Sequence, residues 1–173
     1  YAFQGLVMQM VCHGISTGAL FILAGALQDR LHTRDLRKMG GFWKALPHLG
    51  AMGMLFGMAS LGLPGLGNFV GEFLILLGTF QAYPVLAAIA ALGLVAAPIY
   101  ALYMIQEVFF GSMEYAETTD RDLQFKEWII FASLAIVIVW LGLYPHSVLN
   151  TTQPVIQQLL EHTQSIETIS SSL

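Results

Sequence analysis

Charged side chains are scarce in this chain, where Asp, Glu, Lys and Arg together supply only 10% of 173 residues. Hydrophobic residues supply 56%, and the mean hydropathy is +0.68. Such a composition excludes an ordinary soluble domain and indicates an integral membrane protein. The net charge of -4 provides no basic surface for nucleic acid, so we expect no nucleic-acid partner.

Cysteine is nearly absent as well. The single Cys12 cannot form an internal disulfide, and one thiol without ligating neighbours does not make a metal site. We therefore expect no metal site on this chain. The sequence also lacks an initiating Met and a signal-peptide pattern at Tyr1, so we interpret it as a C-terminal fragment of a longer protein.

Long apolar runs predict an all-α integral membrane protein, a helix bundle of about four membrane-spanning segments. Crossing roughly 30 Å of hydrocarbon takes about 20 helical residues. The segments lie at about 5–27, 47–81, 85–110 and 128–144, within a single membrane domain. The tail at 146–173 has apolar residues at helical spacing, which predicts a C-terminal amphipathic helix on the membrane surface.

The second segment is too long for one straight span and contains the sequence LGLPGLGNFVGEF at residues 61–73. Pro64 cannot donate to a helical ladder, and Gly65 and Gly67 permit backbone angles that other residues avoid. Asn68 is suited to cap a second helix that begins one residue later. We therefore predict a discontinuous helix, broken at Pro64 to Gly67, whose freed backbone groups face protein or water rather than lipid.

Glu72 is the one carboxylate between Ala45 and Tyr83, where His48 is the only other residue that can carry charge. Near the first turn of the second half-helix, it costs at least about 2.5 to 3.5 kcal/mol at membrane depth. Because apolar burial outweighs the attraction of the helix N-terminus, we expect a carboxyl group that changes its protonation state near neutral pH. The functional interpretation is a proton relay, and the alternative is a structural carboxylate that binds amides freed at the break.

The first segment has a polar stripe at helical spacing, made of Gln9, His13, Ser16 and Thr17. The stripe is expected to face protein or water, with His13 near mid-depth, although interhelical hydrogen bonding would explain it equally well. The same segment has a Gly14-xxx-Gly18 pair, which predicts a close approach by another helix. Glu107 lies near the end of the third segment, where an interfacial acid is the better explanation.

Basic residues mark one side of the membrane. Of the seven Lys and Arg residues, five lie at 29–44 and the other two lie at 111–127. With four spans these two connections share a side, which the positive-inside rule predicts to be cytoplasmic. The C-terminal tail then lies on the opposite side of what is expected to be a bacterial cytoplasmic membrane.

Two stretches, HGISTGALFILAGALQDRLHTRDLRKMGG from His13 and LGLPGLGNFVGEFLIL from Leu61, closely resemble a known family. The family is the NuoM/NADH dehydrogenase subunit 4 type, the antiporter-like membrane subunit of respiratory complex I. The resemblance runs to about Gly111. It implies that the four segments are similar to helices 11 to 14 of a fourteen-helix subunit, in which each of two inverted repeats contains a broken helix.

The resemblance also implies roles for two residues. His13 matches a histidine of the hydrophilic axis in the membrane arm, and Glu72 matches a carboxylate proposed to exchange protons with the outside. Related subunits usually have Lys where Glu72 stands, which favours the M-type subunit. The further ionisable residues that the family uses lie in helices before this region.

The resemblance implies that this chain is part of a proton-translocating subunit of an NADH:quinone oxidoreductase, without a redox site of its own. NADH, FMN, iron-sulfur clusters and quinone would be bound by other subunits, and L-type and N-type subunits would be neighbours. Two alternatives stay open. One is a homologous subunit of a cation/proton antiporter or membrane-bound hydrogenase complex, and the other is a passive membrane-arm subunit.

Overall fold

The computed structural model describes residues 1–33, 35, 39–111 and 122–171. Every regular element in these ranges is helical. In chain order they are α1 (Ala2–Leu31), α2 (Phe42–Ala45), α3 (Pro47–Ser60), α4 (Gly67–Ala82), α5 (Pro84–Ile105) with a π-helical turn (Gln106–Phe110), α6 (Phe125–Leu143) and α7 (His146–Ser171). The all-helical prediction is confirmed for this part of the chain.

Within the described ranges, three helical stretches are long and apolar enough to cross a membrane: Ala2–Leu31, Pro84–Phe110 and Phe125–Leu143. They correspond to the first, third and fourth predicted spans. Along α5 and α6 many large apolar side chains are exposed, among them Leu86, Ile89, Leu92, Ile129 and Ile136. An apolar exterior of this kind suits contact with lipid.

α1 is longer than the span predicted at 5–27. It continues to Leu31, so the start of the connection predicted at 29–44 is helical. The extension follows from the apolar spacing, because Leu23, Leu27 and Leu31 recur every four residues and all three are buried.

The segment predicted at 47–81 contains two helices, α3 and α4, with residues 61–66 between them. α3 ends in a Schellman motif, in which Gly62 N–H donates to the Ala59 carbonyl and Leu63 N–H to the Met58 carbonyl. Gly62 has the left-handed conformation that this motif requires, with φ 69°. Helix α3 therefore ends before Pro64, at a glycine that is not among the predicted break residues.

Among the predicted break residues, Gly67 and Asn68 differ from the expectation. Gly65 has a positive φ of 96°, as predicted. Gly67 instead is the first residue of α4, where an added Cβ atom would overlap the Cys12 Sγ. The prediction that Asn68 caps α4 was wrong, because Leu66 is the N-cap and Asn68 lies buried in the first turn. Its side chain makes a contact with α1 instead of closing its own helix.

α1 and α4 run antiparallel and approach each other through glycine. A Cβ atom added at Gly5 would lie 2.7 Å from the Ile75 nitrogen, and one added at Gly71 would lie 2.8 Å from the Gln9 Cα. Backbones this close leave no room for larger residues. Among the described residues no helix lies against Gly14 or Gly18, where an added Cβ would meet nothing within 4 Å, so the predicted close approach there stays a prediction.

α7 provides the helix predicted for the tail. It contains Pro154 and has exposed apolar side chains at Val155, Leu159 and Leu160. Near its start, Val148 and Leu149 pack against the buried core. Its position on a membrane surface stays a prediction.

A polar cluster ties together the end of the bundle where α1 ends and α3 and α6 begin. The Arg30 guanidinium donates two hydrogen bonds to the Glu127 carboxylate, at 3.1 and 2.7 Å. It also donates to the carbonyls of Ala26 and Asp122. The Arg30 side chain is 8% exposed, so this bidentate pair is better shielded from water than a surface ion pair.

Asp122 caps the N-terminus of α3 from a distant part of the chain. Its carboxylate accepts hydrogen bonds from the N–H groups of His48 and Leu49, at 2.9 and 3.1 Å, and lies 2.8 Å from the His48 ring Nδ1. Partial burial acts to raise the pKa of Asp122, but the hydrogen bonds outweigh it and hold that pKa below its ordinary value. The interaction therefore favours the ionised carboxylate at the positive end of a helix.

Replacing Asp122 with Ala is expected to destabilise the protein by about 1 kcal/mol, the usual cost of a lost N-cap. Because the folded-state pKa is depressed, the stabilisation is complete above the unfolded pKa of about 3.9 and disappears as pH falls through the folded value. Thermal unfolding of the detergent-solubilised protein from pH 7 downward measures both effects. Asp122→Asn, which keeps an acceptor oxygen, should lose less stability at pH 7 and lack the acid-dependent loss.

The exposed Asp29→Asn is the matched control. Equal destabilisation by this control and by Asp122→Ala would contradict the capping role, because general loss of negative charge would then explain the result.

Candidate functional site

Glu72 lies half-buried in the second turn of α4. The sequence predicted a position near the first turn; because α4 begins at Gly67, two residues earlier than expected, Glu72 lies two residues further into the helix. The electrostatic effect of a helix N-terminus falls off within the first turn. Glu72 therefore depends on its neighbours more than on the helix dipole.

Two neighbours hold the Glu72 carboxyl group. On the α1 side, the Gln9 Nε2 donates a hydrogen bond to Oε1 over 3.3 Å. On the other side, a Cβ atom at Gly62 would overlap Oε2, so the left-handed turn that ends α3 lies directly against the carboxylate. The carboxyl group is thus enclosed between α1 and the start of the break.

The rest of the polar stripe on α1 divides into two faces. Ser16 is buried, accepts a 3.1 Å hydrogen bond from the Asn68 Nδ2, and donates to the His13 carbonyl. The His13 side chain lies on the exposed flank of α1, where the Thr17 hydroxyl is 3.3 Å from its Nε2. The structure thus joins Gln9 to Glu72, Ser16 to Asn68 and His13 to Thr17.

Two buried oxygens at the α1–α4 interface have no hydrogen-bond partner among the described residues, Gln9 Oε1 and Asn68 Oδ1. Each belongs to an amide whose NH2 group is already donating. Buried polar atoms in native proteins nearly always have partners, including ordered water. Within the described residues, the α1–α4 interface therefore has two buried acceptor oxygens without a hydrogen-bond donor.

Glu107 lies apart from these residues, half-buried in the π-helical turn that follows α5. Its position at the end of a candidate span agrees with an interfacial acid. Across the ranges that the structure describes, no group of three or more His, Cys, Asp and Glu residues could hold a metal ion.

Sequence reasoning missed Gly62, which both ends α3 and contacts Glu72. A usable signal was present, because a glycine directly after the last residue of a helical pattern is a frequent helix terminator. No comparable signal points to Asp122, whose partners His48 and Leu49 lie more than 70 residues away in sequence.

Comparison with known proteins gives one matching family profile. The profile is described as NADH:quinone oxidoreductase/Mrp antiporter, TM, and it matches residues 1–99. The chain is 52% identical over 149 residues to NADH-quinone oxidoreductase subunit M of Pseudomonas aeruginosa, covering 86% of this chain and 29% of that protein. It is 43% identical over 157 residues to the same subunit of Escherichia coli K12, covering 90% and 31% respectively.

Two solved structures are similar as well. One is respiratory complex I from Thermus thermophilus with bound NADH, with a TM-score of 0.78 and 33% identity, covering 91% of this chain and 34% of that one. The other is the Mrp complex from Dietzia sp. DQ12-45-1b, with a TM-score of 0.71 and 84% and 35% coverage; at 18% identity it shows a shared fold alone. The chain spans about three-tenths of the length of the curated relatives.

Replacing Gly62 with Ala is expected to destabilise the protein by about 1 to 2 kcal/mol, the cost of a left-handed conformation for an L-residue. The added Cβ also overlaps Oε2 at the flexible end of the Glu72 side chain, so the same change should cost slightly less in a Glu72→Ala background. Thermal unfolding in detergent of Gly62→Ala with and without Glu72→Ala measures this contact.

Gly65→Ala is the control, because a Cβ there meets nothing within 4 Å and its cost should not depend on Glu72→Ala. If the cost of Gly62→Ala is equally independent of Glu72→Ala, the contact between Gly62 and Glu72 contributes nothing to stability.

Proposed function

Because this chain belongs to the NADH:quinone oxidoreductase/Mrp antiporter transmembrane family, we propose that it is part of a proton-translocating membrane-arm subunit of an NADH:quinone oxidoreductase. The observation that supports this most strongly is the position of Glu72. Its carboxyl group lies beside a helix interruption and receives one hydrogen bond from Gln9. A carboxyl group with so few partners among the described residues retains the capacity to bind and release a proton.

In this proposal α3 and α4 together form one discontinuous span, the second of four. At 1.5 Å per residue, their 14 and 16 residues reach about 21 and 24 Å, less than the roughly 30 Å of hydrocarbon. The break made by Gly62, Pro64 and Gly65 then lies within the membrane. The carbonyl groups closed by the Schellman motif at Gly62 support this, because unsatisfied backbone groups are not tolerated in lipid.

The residues of the site take different roles in the proposed relay. Glu72 accepts and releases the proton, and the neighbouring side chains of His13 and Thr17 form a second polar site on α1. Gln9 and Ser16 support these groups, while Gly67 and Asn68 hold α4 against α1. Glu107 is an interfacial acid without a part in transfer.

The oxidation and reduction steps are assigned to other subunits, which would bind NADH, FMN, iron-sulfur clusters and quinone. The partners of this chain are then L-type and N-type membrane subunits, the lipid bilayer and protons. A purely structural role for Glu72 is the competing interpretation, and the variant described next separates the two.

Replacing Glu72 with Gln should leave the assembled complex intact but strongly reduce quinone-coupled turnover and pumping. Gln keeps the shape and hydrogen-bonding capacity of Glu but cannot titrate. Glu72→Lys is expected to retain more activity, and Glu72→Ala should resemble Glu72→Gln. NADH:quinone activity and proton uptake in membranes, normalised to complex content, are the measurements.

Glu107→Gln is the matched control and should retain activity. Full turnover and full pumping in Glu72→Gln would refute the relay, and failure of the complex to assemble would support the structural interpretation.

The proposed orientation places residues 29–44 and 111–127 in the cytoplasm and the C-terminal tail on the opposite side. Single cysteines introduced at Arg37 and Arg121, which lie outside the described residues, should be labelled by a membrane-impermeant reagent only from the cytoplasmic side. A cysteine at Thr152 should be labelled only from the other side. Labelling of positions 37 and 121 from different sides would overturn the four-span topology.

A further inference from the structure

Among the described residues, only one end of the Gln9 side-chain amide has a hydrogen-bond partner. Its Nε2 donates to the Glu72 Oε1, while its Oε1 is buried and has no partner among the described residues. The amide lies over Gly71, where a Cβ atom would lie 2.6 Å from Oε1. Gln9 therefore reaches Glu72 across Gly71, where a larger side chain would block it.

The chemistry of the two groups is complementary in both protonation states of Glu72. An ionised carboxylate only accepts hydrogen bonds, whereas a protonated carboxyl group also donates through its O–H. A primary amide has a donor and an acceptor at opposite ends of one rotatable group. Turning the Gln9 amide by half a turn would present Oε1 to the protonated carboxyl group and give this buried oxygen the donor that it lacks.

We propose that Gln9 is a positioning residue for Glu72 whose amide reverses with the protonation state of that carboxyl group. With Glu72 ionised, Nε2 donates to the carboxylate. With Glu72 protonated, Oε1 accepts the carboxyl O–H. The amide thus holds the carboxyl group in the same place in both states, and the inference rests on the proposed relay function of Glu72.

The surroundings favour Glu72 as the group that controls this reversal. Among the described residues, His13 on α1 is the titratable group that interacts electrostatically with Glu72. The Cys12 thiol, also on α1, faces Gly67. Residues 61–66 and 129–143 contain no titratable side chain, and the remaining titratable groups of α3 and α5 are His48, at the start of α3, and Tyr100 and Tyr103.

Asn68 provides an internal comparison. Its Nδ2 donates to the Ser16 hydroxyl and its Oδ1 is also buried without a partner among the described residues. No carboxyl group is bonded to it, so its missing donor is one that water would supply. An amide that responds to titration is therefore expected at Gln9 and not at Asn68.

The test uses the assembled complex with Gln9→Met, which has similar length but neither donor nor acceptor. Gln9→Met removes the hydrogen bond from both forms of Glu72, but the bond to the ionised form is about twice as strong as the bond to the protonated form. The pH midpoint of proton pumping should therefore move toward alkaline pH by about one unit, a tenfold change in proton affinity. Gln4→Met, the same replacement earlier on α1, should leave the midpoint unchanged. In infrared difference spectra between acid and alkaline pH, a Gln side-chain carbonyl band should shift in the parent and be absent from Gln9→Met and from Glu72→Ala.

The outcomes separate this inference from the proposed function. Full pumping in Glu72→Gln refutes the relay itself. Loss of pumping in Glu72→Gln, with an unchanged midpoint in Gln9→Met, overturns the role of Gln9 alone, as does a uniform loss at every pH with no Gln9 band. If Gln9→Met fails to assemble, Gln9→Glu replaces it; the added carboxylate should also displace the midpoint toward alkaline pH, and an unchanged midpoint again overturns the inference.

Discussion

The close contact between α1 and α4 determines the rest of the site. Glycine at Gly5 and Gly71 lets the two backbones approach, and this approach brings Gln9 within hydrogen-bonding distance of Glu72. At the same interface Asn68 bonds to Ser16. A larger side chain at either glycine would separate the helices and leave the polar groups between them without partners, which is costly in an apolar environment.

The described residues include two contrasting kinds of ionisable site. At the end of the bundle where α1 ends, the Arg30–Glu127 pair is bidentate and Asp122 accepts hydrogen bonds from two N–H groups of α3. Those groups are held in one charge state by nearly complete pairing. Among the described residues, Glu72 accepts one hydrogen bond, at 3.3 Å and from an uncharged amide. Saturated pairing suits a structural role, and sparse pairing suits proton exchange.

Features encoded by local sequence could be predicted, and those that depend on distant contacts could not. The interruption near Pro64 and the helical tail follow from proline, glycine and apolar spacing. The predicted cap at Asn68 failed because a tertiary contact with Ser16 outweighs local capping. The polar stripe of α1 was visible, but its division into a face toward α4 and an exposed flank depends on where α4 packs. The Asp122 cap joins residues more than 70 positions apart in sequence, so no local sequence pattern predicts it.

The two oxygens of Glu72 lie in different surroundings, which constrains how a proton could pass through it. Oε1 faces Gln9 on α1, and Oε2 faces Gly62 at the end of α3. A carboxyl group here can take up a proton on one oxygen and, after a half-turn about its Cγ–Cδ bond, release that proton toward the other side without moving its backbone. For a relay, the two oxygens must therefore be reached from different sides, one along α1 and one through the break. The glycine at position 62 matters for the second route, because a side chain there would cover the oxygen that faces the break.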